Sequence, residues 1–294
     1  MPLPPISPSG VSTALVYPKD TGGGLGLTDI VSANPGFINA PVMFEPGPDL
    51  TGNELELWII ATGPSADWGG CQVWLSVEAG GAGTYGQLGT IRRGGVQGVL
   101  TANFASGSDP DTTHTLSVDL SASQGALIAG TSADADDFVT LCYCDGELIA
   151  YSAATLTSAY RYDLGTYLRR GLYGTTIGAH NSGSQFARVA GPVFVQQYPA
   201  NLVGKTIYLK FPSFNSLGLA LQDIAIVPHY SYTLTGAGLS ETGGPGACPV
   251  IIGLAGGCSE DWGSLDQTAI SARCDFGALG TASTLQIDLG LIGA

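Results

Sequence analysis

The apolar runs of this sequence are short, and they alternate. ELELWIIA (54–61), CQVWLSV (71–77), TYGQLGTI (84–91), GVLTANF (98–104) and HTLSVDL (114–120) each last roughly five to eight residues before glycine or a polar cluster stops them. An amphipathic helix needs an apolar stripe at i, i+3, i+4 and i+7 sustained over about ten residues or more. No segment here keeps one. The chain therefore reads as all-β, with strands packed as β-barrel or β-sandwich modules.

Turn chemistry sharpens that reading. EAGGAG (78–83) separates two of the runs, and its glycines can adopt positive φ at little cost, which predicts a hairpin with a longer loop. Asp145-Gly146 lies between FVTLCYC (138–144) and ELIAYSAATL (147–156), the pattern of a tight two-residue hairpin. PVFVQQY (192–198), TIYLKF (206–211) and HYSYTLTG (229–236) again place aromatic and β-branched residues at alternate positions. Between these groups, residues 158–192 read as strand pieces broken at Gly165, Gly171, Gly174 and Gly178, as at the corners of a barrel or sandwich. The one helical turn expected is SADADDF (132–138), with Ser132 as its cap and acids in its first turn.

Three regions follow. Residues 1–50, with PLPPISPSG and TGGGLG (21–26), form an extended Pro/Gly-rich arm with one short strand, suited to lying along a neighbour because each proline removes a backbone donor. Residues 51–237 hold one or two β modules. Residues 238–294 form a Gly-rich C-terminal tail that opens on SETGGPGACP and repeats a short unit: Asp261-Trp262-Gly263-Ser264-Leu265, Asp275-Phe276-Gly277-Ala278-Leu279 and Asp288-Leu289-Gly290-Leu291-Ile292. Units this small bury little surface alone, so contacts with neighbouring chains are expected of them.

Charge narrows the function. Only 12% of the residues are charged, against roughly 25% in ordinary soluble domains, and the net charge of −14 arises from 24 acidic and 10 basic residues. Nucleic-acid binding calls for a Lys/Arg stripe, whereas the densest basic features are the doublets Arg92-Arg93 and Arg169-Arg170, which read as salt-bridging surface pairs. No apolar stretch of about 18 residues is present to cross a membrane, and MPLPPISPSG has neither the basic nor the apolar region of a signal peptide. The six cysteines, 71, 142, 144, 248, 258 and 274, lack CxxC or other metal spacing and read as buried thiols; Cys142 and Cys144, two apart on a strand, share one face.

The residues that could carry chemistry each have a plainer reading. His114, His180 and His229 are scattered and form no metal motif. Gly183-Ser184 does not fit a nucleophile elbow. Asp145 and Glu147 are the candidate carboxylate pair of a β-scaffold glycosidase, but they flank a turn glycine. Asp134, Asp136 and Asp137 could offer oxygens to Ca²⁺ without EF-hand spacing. Trp58, Trp68, Trp74 and Trp262 could form a sugar platform, although Trp58 and Trp74 fall in strands and read as core. A non-enzymatic protein is expected, and no catalytic, cofactor or metal residue is assigned.

WGGCQVWLSV (68–77), QLGTIRRGGVQGVLTA (87–102), DGELIAYSAATLTSAYRYDL (145–164), YLRRGLYGT (167–175) and GKTIYLKFPSFN (204–215) resemble, in one order, the C-terminal part of phage tail-tip hub proteins. These are the host-specificity (tip attachment) proteins of long-tailed phages and the large hub protein of gene transfer agents. The resemblance spans residues 40–237 and implies a barrel or sandwich module of a trimeric ring closing the tail tube. It implies as partners the distal tail protein, other hub domains, the tape measure protein and a host surface receptor, with a place in the virion tail tip after synthesis in the host cytoplasm. Such relatives carry upstream hub domains and a TIM-barrel-like region to which nothing here corresponds, so those parts would come from another chain. A stand-alone carbohydrate-binding or adhesin module is the alternative.

Overall fold

A computed structural model describes residues 34–78 and 83–239. The repeats of the C-terminal tail, Trp262, Cys248, Cys258, Cys274 and TGGGLG lie outside these residues. The fold is all-β, as the alternating runs require. Its strands are β1 (Val42–Phe44), β2 (Glu56–Ile60), β3 (Trp68–Ser76), β4 (Gly86–Ile91), β5 (Gln97–Leu100), β6 (Leu116–Asp119), β7 (Cys142–Cys144), β8 (Glu147–Ser158), β9 (Arg161–Arg169), β10 (Gln185–Arg188), β11 (Phe194–Gln197), β12 (Thr206–Lys210), β13 (Ser213–Asn215) and β14 (His229–Thr233). Among the described residues no helix is long and apolar enough to cross a membrane.

The strands form three sheets. Six close into a barrel in the order β10-β5-β6-β9-β8-β7, every neighbouring pair antiparallel. A three-stranded sheet runs β1-β2-β11. In the third sheet β3 pairs with β4 on one side and with both β12 and β13 on the other, and β14 pairs with β12. Strands β12 and β13 are one line of chain interrupted at Phe211-Pro212. The ladder continues across the break because the Pro212 carbonyl accepts from the Gln72 N–H at 2.9 Å; the reciprocal bond to Gln72 is the one the proline cannot donate.

Period-2 alternation explains how these sheets stack. Along β2, Leu57 and Ile59 face a core shared with Cys71, Val73, Ile207 and Leu209 of the third sheet. Trp58 and Ile60 face the opposite way, onto a core with Leu148, Ala150, Leu141 and Ala187 on the outside of the barrel. The three-stranded sheet is thus a shared middle layer. Strand β8 does the same for the barrel wall, sending Ile149 and Tyr151 inward with Leu164, Leu168 and Phe186 and Leu148 and Ala150 outward. Residues 34–50, counted with the arm in the sequence, enter these cores: Ile38, Val42 and Phe44 are buried, and a single helical turn, α1 (Pro48–Thr51), follows β1.

Both expected hairpins form. Strands β3 and β4 pair across 77–85, and Cys144 pairs with Glu147 around Asp145 and Gly146, whose φ values of 44° and 95° are those of a tight two-residue turn. Two local expectations are corrected. The cap of α2 (Ser132–Asp136) is Thr131 rather than Ser132: its hydroxyl accepts from the Asp134 N–H while the Asp134 carboxylate accepts from the Thr131 N–H, a reciprocal box. Gly165 does not break its strand. Strand β9 runs through it because a register shift between Tyr151 and Ala153 absorbs the irregularity, and Thr166 takes the positive φ of 62°.

Because Ile60 is fully buried between barrel and middle sheet, Ile60→Ala is expected to cost about 2–5 kcal/mol, whereas Leu156→Ala on the exposed hairpin tip should stay within about 0.5 kcal/mol. Urea unfolding of the two variants checks the contrast.

Candidate functional site

One end of the barrel holds a cluster of buried charge. It begins at Glu147, the first residue of β8, which shares the inward face with Ile149 and Tyr151 by period 2. On β9, Leu168 points inward, and Arg170, two residues on, continues that face into the barrel end. Arg169 points the other way. The doublet read as two surface arginines is therefore split: Arg169 bridges Asp109 and Asp136 at 2.8 Å each, while Arg170 is 2% exposed.

Arg170 spends its donors inside the cluster. Nε and Nη2 grip the two Glu147 oxygens at 2.6 and 2.9 Å, a bidentate pair. Nη1 donates to Asp111 Oδ2 at 3.2 Å and to the Ala105 carbonyl at 3.3 Å, and Nη2 to the Gly178 carbonyl at 2.9 Å. Its guanidinium carbon sits 4.1 Å from the centre of the Phe104 ring, a cation–π contact in a desolvated setting. Glu147 also accepts from the Gly171 and Gly178 N–H groups at 3.0 and 3.2 Å and from His180 Nε2 at 2.8 Å. An ionised carboxylate only accepts, so that bond fixes the proton on Nε2. Asp111 accepts from the Thr113 and His114 N–H groups, each at 3.0 Å, and lies 2.9 Å from His114 Nδ1. Backbone bridges Phe104–His180 and Asp111–Leu168 lash the closing loops to one another and to β9.

The carboxyls are tuned by these bonds. Burial pushes Glu147 up, but the hydrogen bonds from Arg170, His180 and the Gly178 N–H outweigh it and hold the group below its usual range. Burial likewise pushes Asp111 up and is outweighed by the Thr113 and His114 N–H groups and by the His114 side chain, which hold it well below that range. Every oxygen of the pair is engaged within the chain. What the cluster does chemically is neutralise and lock, and it presents no free lone pair to a ligand.

The other candidate residues are dispersed. Asp145 stays on the exposed turn, accepting from Ser184 Oγ at 2.8 Å, so it and Glu147 do not converge. Asp134 serves the helix cap, and Asp136 accepts from the Tyr167 hydroxyl and Arg169. Trp58 donates to Glu56, Trp68 to Ser213 and Trp74 to Gln72; Trp58 packs on the core between the middle sheet and the barrel, Trp68 packs on the core of the stacked sheets, and Trp74 joins neither, so the three form no common platform. His229 lies on β14 against the Tyr208 ring, away from the other two histidines. Arg92 and Arg93 are exposed and make no ion pair among the described residues.

A second locked carboxylate joins the ends of the described fold. Glu45, just after β1, accepts from the Tyr198 hydroxyl and from the Thr235, Gly236 and Ala237 N–H groups at 2.7, 2.8 and 3.3 Å. A crevice of about 150 Å³ beside it, lined by Phe44, Tyr143 and Tyr232 among others, is below the roughly 300–1,000 Å³ of small-molecule sites. The thiols are equally closed. Cys142 and Cys144 both lie in the barrel core, and Cys71 in the core of the stacked sheets. Burial pushes the Cys71 and Cys144 thiols up to about 12 and Cys142 well above its ordinary value, away from the reactive thiolate.

Sequence reasoning did not assemble Asp111, His114, Arg170, His180 and Glu147, because they come from four separate segments. The one usable signal was alternation along β9, which sends adjacent arginines to opposite faces.

The fold and this cluster define an all-β protein organised around a closed barrel with paired charges buried at one end. Residues 95–187 match the family model described as Rcc01698-like, C-terminal. That span is the barrel, from just before β5 to the third residue of β10. No curated protein matches the chain.

Two outcomes follow. Depressed carboxyls contribute stability that is full above the ordinary range near pH 4 and is lost as pH falls toward their folded values. Glu147→Gln should therefore cost about 3–5 kcal/mol near neutrality and flatten the acid dependence of stability, and Glu147→Leu combined with Arg170→Met should be less damaging than either change alone. Denaturant melts at neutral and acid pH check both. The three buried thiols should resist a thiol reagent until the chain is unfolded, as followed by mass spectrometry.

Proposed function

We propose that this chain is a structural component of a bacteriophage tail tip, a hub module that acts through contacts between subunits and without catalysis. What carries the reading is the coincidence of the family match with the closed barrel. A family-model name consistent with a gene-transfer-agent-type protein agrees with the resemblance of 87–102, 145–164 and 167–175 to tail-tip hub proteins, and these strings supply β5, β8, β9 and the cluster arginine. The geometry supports it further: of the two candidate carboxylates, Glu147 is sealed and spent in the buried cluster, and Asp145 stays apart from it on the exposed turn. A barrel of this kind keeps its shape under load and offers its outer surface to neighbours. In the particle it would assemble as a homotrimer with the distal tail protein, the other hub domains and the tape measure protein, and would contribute to host attachment and genome delivery.

The carbohydrate-binding alternative receives no support from Trp58, Trp68 and Trp74, the tryptophans among the described residues, which are spread over two sheets with their N–H groups occupied. Cryo-electron microscopy of particles from a host making this protein, tagged at one end, is expected to place the tag at the tail tip. Label on the head, or absent from purified particles, would reject the assignment.

A further inference from the structure

The third sheet carries an ordered loop that turns its apolar side chains outward. Leu217, Leu219, Leu221 and Ile226 are each between 47% and 66% exposed, although the loop that bears them is firmly held. Asn215 Oδ1 accepts from the Leu217 and Leu219 N–H groups at 3.2 and 2.9 Å, the Gln222 N–H donates to the Ser213 carbonyl at 2.9 Å, and Lys210 Nζ donates to the Ile224 carbonyl at 2.9 Å. Val227 anchors its end in buried surroundings. Scattered exposed leucines are normal on a protein, but a concentration of them on a rigid support marks a contact surface.

The loop's flank is basic. Arg92 lines a shallow depression with Gly218 and Leu221, and Arg93 adjoins it in sequence. Both arginines are exposed and unpaired among the described residues, in a chain of net charge −14. An apolar patch with a cationic rim fits an apolar patch with an anionic one. The barrel offers such a surface: Ile128 is 70% and Val139 53% exposed, Gly130, two residues after Ile128, lies against Thr140, the residue after Val139, and Asp137, two residues before Val139, is exposed without an ion pair among the described residues.

We propose that the Leu217–Ile226 loop with Arg92 and Arg93 docks on the Ile128–Asp137–Val139 surface of a second copy of this chain. The two patches are different, so the contact is heterologous and propagates head to tail until rotation closes a ring. A symmetric contact of the loop with itself would set Arg92 and Arg93 against their own like charges. The proposal rests on the reading of a subunit that works among copies and names the surface it uses.

Sedimentation velocity of the full chain across a concentration series tests it. Wild type is expected to self-associate, less so at high salt. Arg92→Glu with Arg93→Glu, Asp137→Arg alone, and Leu219→Ser with Leu221→Ser should each weaken association about tenfold or more, with unchanged circular dichroism because the sites are exposed. Combining Arg92→Glu, Arg93→Glu and Asp137→Arg should restore it. A chain that stays monomeric at every concentration would overturn both this proposal and the assembly reading. Association unaffected by the single-surface variants, or no recovery in the combined one, would overturn only the surface named here.

Discussion

Arg170 cannot be in this barrel without Glu147, and Glu147 cannot be there without the loops that feed it N–H groups. A lone guanidinium or carboxylate taken out of water costs several kcal/mol even after relaxation, so the barrel end folds only with the pair formed in bidentate geometry and its remaining lone pairs filled. That requirement fixes the positions of segments distant in sequence: 104–114, the start of β8, the end of β9 and 178–180. The cluster adds little net stability over an apolar plug of the same volume. Its contribution is to register, because a one-residue slip of β8 on β9 would turn Glu147 and Arg170 to opposite faces.

The second organising feature is the strand buried on both faces. Strand β2 serves two cores at once, Ile59 in one and Ile60 in the other, and β8 serves the barrel interior and its outer wall. Such strands turn three sheets into a stack. The family match confined to 95–187 then falls on a unit with its own core and its own closure, while the flanking sheets are layered on its outside.

How much of this could be read from residues follows from the range of the forces involved. Alternation and turn chemistry are local, so the hairpin around Asp145-Gly146, the strand runs and the all-β class were legible. Partner choice is not local. Nothing near Arg170 says that it turns inward, since its neighbour Arg169 has the same side chain and the opposite fate; only the pleat and the distant carboxylates decide. The cap moved from Ser132 to Thr131 because either hydroxyl could serve and Asp134 selects the one three residues before it. Glu147 read as a turn acid because a sequence shows proximity to Gly146 but not the depth to which the strand carries it.

Glu45 sets a path for force. The same carboxylate receives the Tyr198 hydroxyl and the backbone of Thr235, Gly236 and Ala237, so the end of β1 and the chain that leaves β14 are fastened at one point. Tension arriving along one flank and leaving by the other crosses that fastening and bypasses the barrel, much as a belt loop spares the cloth beneath it.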